Sequence, residues 1–197
     1  MGDPERIGVY GGTFDPIHRT HLDVARAAMQ HAGLDRVIYV VAGTPPHKRR
    51  RVNASAEDRF AMVKAALAAE PAMEVSRIEV DREGPSYTVD TLRQLQAEHP
   101  GARLYLIVGS DSLADLPGWR DPEGIVTLAR LLVVPRPGAR PVVPPPLEGH
   151  VDIVPFAQSD TSSTWVRRNL GQRGWASELP DAVQDIIRAK GLYDEDP

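Results

Sequence analysis

Two histidines three positions apart, His18 and His21, close the run Gly11-Gly12-Thr13-Phe14-Asp15-Pro16-Ile17-His18-Arg19-Thr20-His21. The apolar run Ile7-Gly8-Val9-Tyr10 precedes it, and Leu22, Ala25, Ala28 and Met29 recur after it at helical spacing, so the predicted order is strand, glycine turn, helix. Adjacent glycines let a ligand approach the backbone and supply dihedrals that a side chain forbids. Asp15-Pro16 marks the turn, because a residue before proline leaves the helical region and proline suits a helix's first positions. Histidines three apart in a first helical turn share a face, beside amides that point at any anion placed there. That combination suits a polyphosphate. A glycine pair alone is more often an ordinary strand-to-helix turn, and it is the convergence of glycines, Asp-Pro and both imidazoles that favours a ligand. The run has neither a Walker lysine nor G-x-G-x-x-G spacing, and no H-E-x-x-H or cysteine accompanies it, so P-loop, dinucleotide and zinc readings fit worse.

A second cluster lies near the other end of the chain, in Ser159-Asp160-Thr161-Ser162-Ser163-Thr164-Trp165-Val166-Arg167-Arg168. One hydroxyl at a helix start is an N-cap; consecutive hydroxyls with Arg167 one turn beyond Thr164 predict a second anion-binding terminus. Lys48, in the basic stretch Pro45-Pro46-His47-Lys48-Arg49-Arg50-Arg51, leaves the second predicted strand at the sheet edge where α/β proteins hold ligands. Such a charge run is usually solvated, and the trailing arginines and Arg136 are read that way. Gly109 and Asp111 follow another predicted strand, where an acid accepts from ribose hydroxyls or starts a helix.

The elements that position these groups alternate along the chain. Buried strands are predicted over 37–41, 104–108, 131–134 and 151–154, and a further strand over 73–80. Helices are predicted over 56–69 with Phe60, Val63 and Leu67 on one face, from Ser86 or Thr88 as cap through Leu95, and over 180–190. The proline-rich stretch from Pro135 to Gly149 reads as an extended surface loop. The fold class expected is α/β: a Rossmann-like, mostly parallel sheet with helices on both faces, forming one domain over residues 1–197. A net charge of −4 disfavours a general nucleic-acid surface, and no apolar run reaches membrane-spanning length. With no cysteine there is no disulfide framework or thiolate site. The chain is expected to be cytoplasmic.

Gly-Gly-Thr-Phe-Asp-Pro-Ile-His-x-x-His resembles the signature of the nucleotidyltransferase superfamily that carries an H-x-G-H sequence, above all that of bacterial nicotinate mononucleotide adenylyltransferases. Thr20 departs from the pattern, standing where the family has glycine. Pro-Pro-His-Lys, Pro85-Ser86-Tyr87-Thr88, Gly109-x-Asp111, Trp119 and Ser162-Ser163-Thr164-x-Val166-Arg167 follow in the family's order, with Thr161 in place of isoleucine. The resemblance implies adenylyl transfer from ATP to nicotinate mononucleotide, giving deamido-NAD and pyrophosphate in NAD biosynthesis. On it, His18 and His21 are catalytic. Gly11, Gly12, Thr13, Phe14, Lys48, Gly109, Asp111, Ser162, Ser163, Thr164 and Arg167 bind ATP, while Tyr87, Thr88 and Trp119 bind the mononucleotide. Magnesium (Mg2+) rides on the ATP phosphates, and the protein holds no metal of its own. The attacking phosphate is already anionic, so catalysis reduces to alignment and charge neutralisation by His18, His21, Lys48 and Arg167. The alternatives are another adenylyl or cytidylyl transferase of the superfamily, such as the phosphopantetheine enzyme, and a nucleotide-binding module without turnover, which Thr20 motivates.

Overall fold

The computed structural model describes residues 2–43, 52–135, 141–156, 161–170, 172 and 174–193. Strands β1 (Arg6–Gly12), β2 (Arg36–Val41), β3 (Met73–Ser76), β4 (Arg103–Gly109), β5 (Ala129–Val134) and β6 (Val151–Ile153) form one sheet in the order β3-β2-β1-β4-β5-β6. Every pairing is parallel. Helices α1 (Arg19–Ala32), α2 (Ala56–Ala66), α3 (Thr88–Glu98), α4 (Ser110–Asp115), α5 (Pro122–Leu128), α6 (Ser163–Arg168) and α7 (Asp181–Lys190) complete the described elements. Buried strands covered on both sides need apolar residues in near-continuous runs, as in Val37-Ile38-Tyr39-Val40-Val41 of β2.

Two cores separate the faces. Leu22 and Ala25 of α1, Met62 and Val63 of α2, Val166 of α6 and Val183 and Ile187 of α7 pack on one side. Val89, Leu92 and Leu95 of α3, Leu113 of α4 and Ile125 of α5 pack on the other. Burying an aliphatic side chain of this kind contributes roughly 1.5–3 kcal/mol. Strand order reverses between β1 and β4, and a ligand crevice opens beyond the carboxyl ends of the strands at such a switch point.

Several elements differ from the sequence-based expectation for identifiable reasons. Both Gly11 and Gly12 belong to β1, paired with Val40 and Val41, so the glycines extend the strand instead of making the turn. The third strand ends at Ser76 and not at residue 80, because the Ser76 hydroxyl accepts from Ile78 N (3.2 Å) and the Asp81 amide turns back to the Arg77 carbonyl (2.9 Å). Of the expected face of α2, Val63 and Leu67 are buried and Phe60 packs at the edge of the core, while Arg59, Met62 and Ala66 join the buried side; the helix itself stops at Ala66. Neither Ser86 nor Thr88 caps α3: Tyr87 is its N-cap, with no side-chain cap bond. Within the proline-rich stretch, a 3-10 turn at Pro145–Leu147 buries Leu147 almost completely, so the segment is anchored to the sheet.

Gly43, just after β2, shows how tightly neighbouring segments meet at this edge. A Cβ there would stand 2.1 Å from the backbone oxygen of Glu79. Backbone against backbone leaves no rotamer to relieve the overlap. Gly43→Ala is therefore expected to cost about 1–3 kcal/mol in urea unfolding, whereas Gly118→Ala, where a Cβ meets nothing within 4 Å, should change little.

Candidate active site

The histidine run leaves β1 and folds back on itself before α1. Phe14 adopts a left-handed φ of 49°, a conformation rare for a bulky residue. Its ring lies under Gly12, where an added Cβ would come within 2.7 Å of the ring edge. Gly12 is thus required for close approach by Phe14, and the left-handed backbone that the glycines were expected to provide falls on Phe14 instead. The Phe14 side chain is buried and stands edge-on to His21, with centroids 5.1 Å apart, and Tyr10 and Tyr39 complete the cluster. Tyr39 also donates its hydroxyl to the His21 carbonyl (3.0 Å).

His18 is the N-cap residue of α1 and His21 lies in its first turn, so both imidazoles do sit on one side of the helix start. Their ring centroids are 3.8 Å apart. The His18 amide donates to His21 Nδ1 (3.1 Å), which leaves His21's own proton on Nε2 when the ring is neutral. Burial pulls the His18 pKa down to about 4. Burial, then the neighbouring His18, holds His21 well below its ordinary value. Burial thus favours the neutral form of both rings. Among buried side chains, His18 Nδ1 lacks a partner.

The two motifs meet. The Ser163 hydroxyl donates to the Pro16 carbonyl (2.9 Å), and Arg167 Nη1 donates to the Asp15 carbonyl (2.6 Å). Ser162 caps α6 by accepting from Trp165 N (3.2 Å), and Thr164 accepts from Arg167 Nη2 (3.4 Å). Arg167 thus reaches the histidine run across 152 positions of sequence. Gly109 is the N-cap residue of α4 and Asp111 lies in its first turn, at the carboxyl end of β4 across the switch point from β1. Lys48 lies outside the described residues.

Thr88 opens α3 directly after Tyr87. Tyr87 and half-buried Trp119 both pack against the second core, Tyr87 at the start of α3 and Trp119 after a 3-10 turn at Leu116–Gly118. The buried Ser86 hydroxyl forms no well-directed hydrogen bond. Behind it, burial raises the Glu79 carboxyl, opposed by the Thr91 hydroxyl, by Arg82 and by Ser86. Thr91 donates to Glu79 at 2.7 Å.

Two residues that sequence reasoning passed over hold the run in place. The Asp15 carboxylate, read there as a turn marker, accepts from Asn53 N (2.8 Å), Ala54 N (3.1 Å) and the Tyr193 hydroxyl (2.8 Å). Arg59 is 1% exposed and donates to the carbonyls of Thr13 (2.8 Å), Ala42 (2.7 Å), Gly43 (3.2 Å) and Ala54 (3.2 Å). Its spacing to Met62, Val63 and Ala66 was the available signal, since a long cation on an apolar stripe is either snorkelling or satisfied inside. Among the described residues no cluster of three or more acidic, histidine or cysteine side chains is placed to hold a metal ion.

The cytidylyltransferase-like family profile matches residues 9–169. A protein of Gloeobacter violaceus named "probable nicotinate-nucleotide adenylyltransferase" is 43% identical over 202 residues, covering 96% of this chain and 97% of the relative. One of a Roseiflexus species with the same name is 45% identical over 194 residues, covering 95% and 97%. The chain belongs to the nicotinate-nucleotide adenylyltransferase family. The structure of Plasmodium falciparum nicotinic acid mononucleotide adenylyltransferase complexed with NaAD superposes with a TM-score of 0.78 at 17% identity, over 98% of both chains. That adenylyltransferase shares the fold, and the Rossmann-like parallel sheet expected from the sequence is the one observed.

Neutral histidines make stability depend on pH in a defined direction. The unfolded chain protonates His18 near 6.5 and the folded chain only near 4, so the unfolded state binds more protons between these values and stability falls as pH drops through that window. His18 alone accounts for roughly 3 kcal/mol across the full window. Urea unfolding of wild type and His18→Asn at pH 6.5 and 4.5 should show the smaller loss in the variant; equal losses would mean that His18 titrates normally.

Proposed function

We propose that the site transfers the adenylyl group of ATP to nicotinate mononucleotide. The observation that carries this reading is the docking of α6 on the histidine run: Ser163 and Arg167 bind the Pro16 and Asp15 carbonyls and so bring a guanidinium and a hydroxyl-rich helix start beside two imidazoles. Polyphosphate recognition requires that convergence of donors. The names of the relatives supply the second substrate.

On this reading ATP lies over Gly11, Gly12 and Thr13, with its ribose near Gly109 and Asp111 and its phosphates toward His18, His21, Lys48, Ser162, Ser163, Thr164 and Arg167. Phe14 offers backbone only, since its side chain is buried beneath Gly12. The pyridine ring stacks on Trp119, and its carboxylate meets the amides at Tyr87 and Thr88. A 5′-phosphate oxygen of the mononucleotide attacks the α-phosphorus of ATP. A new phosphorus–oxygen bond forms as the bond to the β-phosphate oxygen breaks, and pyrophosphate leaves with the bonding electrons. Neutral His21 donates from Nε2, and the approaching phosphates favour protonation of both rings, so positive charge appears where negative charge develops. Magnesium enters as part of the ATP complex, consistent with the occupation of the run's carboxylate, Asp15, by two amides and a tyrosine hydroxyl. The chain is placed in the cytoplasm as a single domain over residues 1–197.

Mixing the protein with magnesium-ATP and nicotinate mononucleotide should yield deamido-NAD and pyrophosphate in equal amounts. Product with phosphopantetheine and none with the mononucleotide would move the chain to a sister activity; ATP binding without any product would make it a nucleotide-binding module. His21→Ala should lower turnover about 100-fold to 1,000-fold with a smaller effect on ATP binding. Retention of more than about a tenth of the rate would remove His21 from the transition state. For Trp119→Ala, the KM for the mononucleotide should rise while that for ATP holds. An equal rise in both would make the tryptophan a packing residue.

A further inference from the structure

We infer that Arg120 tunes the site toward an acidic pyridine ring, by cancelling a carboxylate charge that the start of α3 would otherwise present. The inference rests on the function proposed above. The first turn of α3 carries Asp90. A mononucleotide carboxylate arriving at Tyr87 and Thr88 would meet that like charge, whereas the carboxamide of the corresponding amide would not.

Two guanidinium groups address Asp90 from opposite oxygens: Arg93 Nη1 stands 3.3 Å from Oδ1, and Arg120 Nη1 stands 3.7 Å from Oδ2. Arg93 is shared, because its Nη2 lies 2.5 Å from Asp121 Oδ2. Asp90, Asp121 and Arg93 together therefore leave one negative charge, and Arg120 brings the four side chains to neutrality. Arg120 also lies over the Tyr87 ring, 4.6 Å from its centroid, directly after Trp119 in the chain. It thus touches one of the two aromatic residues that the proposed function assigns to the pyridine ring and adjoins the other in the chain. Its side chain is 59% exposed, so the effect is screened and modest, and replacing it leaves no buried group unpaired.

The test compares kcat/KM for nicotinate and nicotinamide mononucleotides on four proteins at low salt. Arg120→Gln should lower the acid-to-amide ratio about threefold to tenfold, chiefly through the KM of the acid, while the KM for ATP and the melting temperature stay as in wild type. Arg120→Lys, which keeps the charge, should retain most of the ratio. Adding Asp90→Asn to Arg120→Gln should restore it, since the charge that Arg120 cancels is then gone. Raising the salt should shrink the difference between wild type and Arg120→Gln. An unchanged ratio in Arg120→Gln, or equal losses for both mononucleotides, overturns the inference while leaving the proposed function standing. A wild type that turns over neither mononucleotide refutes the proposed function and this inference with it.

Discussion

Asp15 is 3% exposed, and a carboxylate so placed survives only if its oxygens are occupied. Its occupants come from distant parts of the chain: two amides where the chain returns toward α2, and the hydroxyl of Tyr193 beyond α7. Its own carbonyl takes the Arg167 guanidinium. Hydrogen bonds to charged groups contribute on the order of 1.5–3 kcal/mol each, and here each also fixes a segment that ends at the site. The position of the histidines follows from this one residue, because His18 is three residues beyond a peptide held on both sides.

Arg59 supplies the complementary constraint from beneath. Burial lowers its pKa, and Asp15 and Tyr193 oppose that shift, so the cation sits inside an environment shaped for it. By gathering carbonyls from the end of β1 and the end of β2, it prevents the two neighbouring strands from splaying where they open toward the ligand. Tyr10, Phe14 and Tyr39 fill the space between this anchor and His21. The result is a preorganised array of donors around imidazoles whose neutral form burial favours. Preorganisation of this kind spares the reorganisation that water would require.

Much of the arrangement was legible in the sequence because strand-forming runs and the two motifs are local signals. Val37 to Val41 announces a buried strand, and the hydroxyl run before Arg167 announces a helix start. The burial of Arg59 was not legible: Val63 and Leu67 mark the apolar side of α2, but only the carbonyls contributed by Thr13, Ala42 and Gly43 allow a cation to be buried beside them. The early end of β3 was equally hidden, since alternation of residue type continues past Ser76 while the hydrogen-bonding partner of the backbone changes. Asp15 presented itself as half of a turn dipeptide, and nothing within ten residues of it reveals that its partners lie at Asn53 and Tyr193. Long-range polar satisfaction leaves no periodic trace.

The docking of Arg167 and Tyr193 on Asp15 also orders events during synthesis. Strands β1, β2, β3 and β4 lie within residues 6–109 and form four adjacent positions of the sheet, so a nascent chain can assemble the switch point before Arg167 and Tyr193 are made. At that stage Asp15 has only its two amides. The guanidinium and the tyrosine hydroxyl emerge later, and with them the bonds that hold the histidine run against α6 and the segment after α7. A ribosome-bound fragment that stops short of them therefore carries every residue of the first motif without the frame that aligns it, and competence is withheld until Arg167 and Tyr193 have been made.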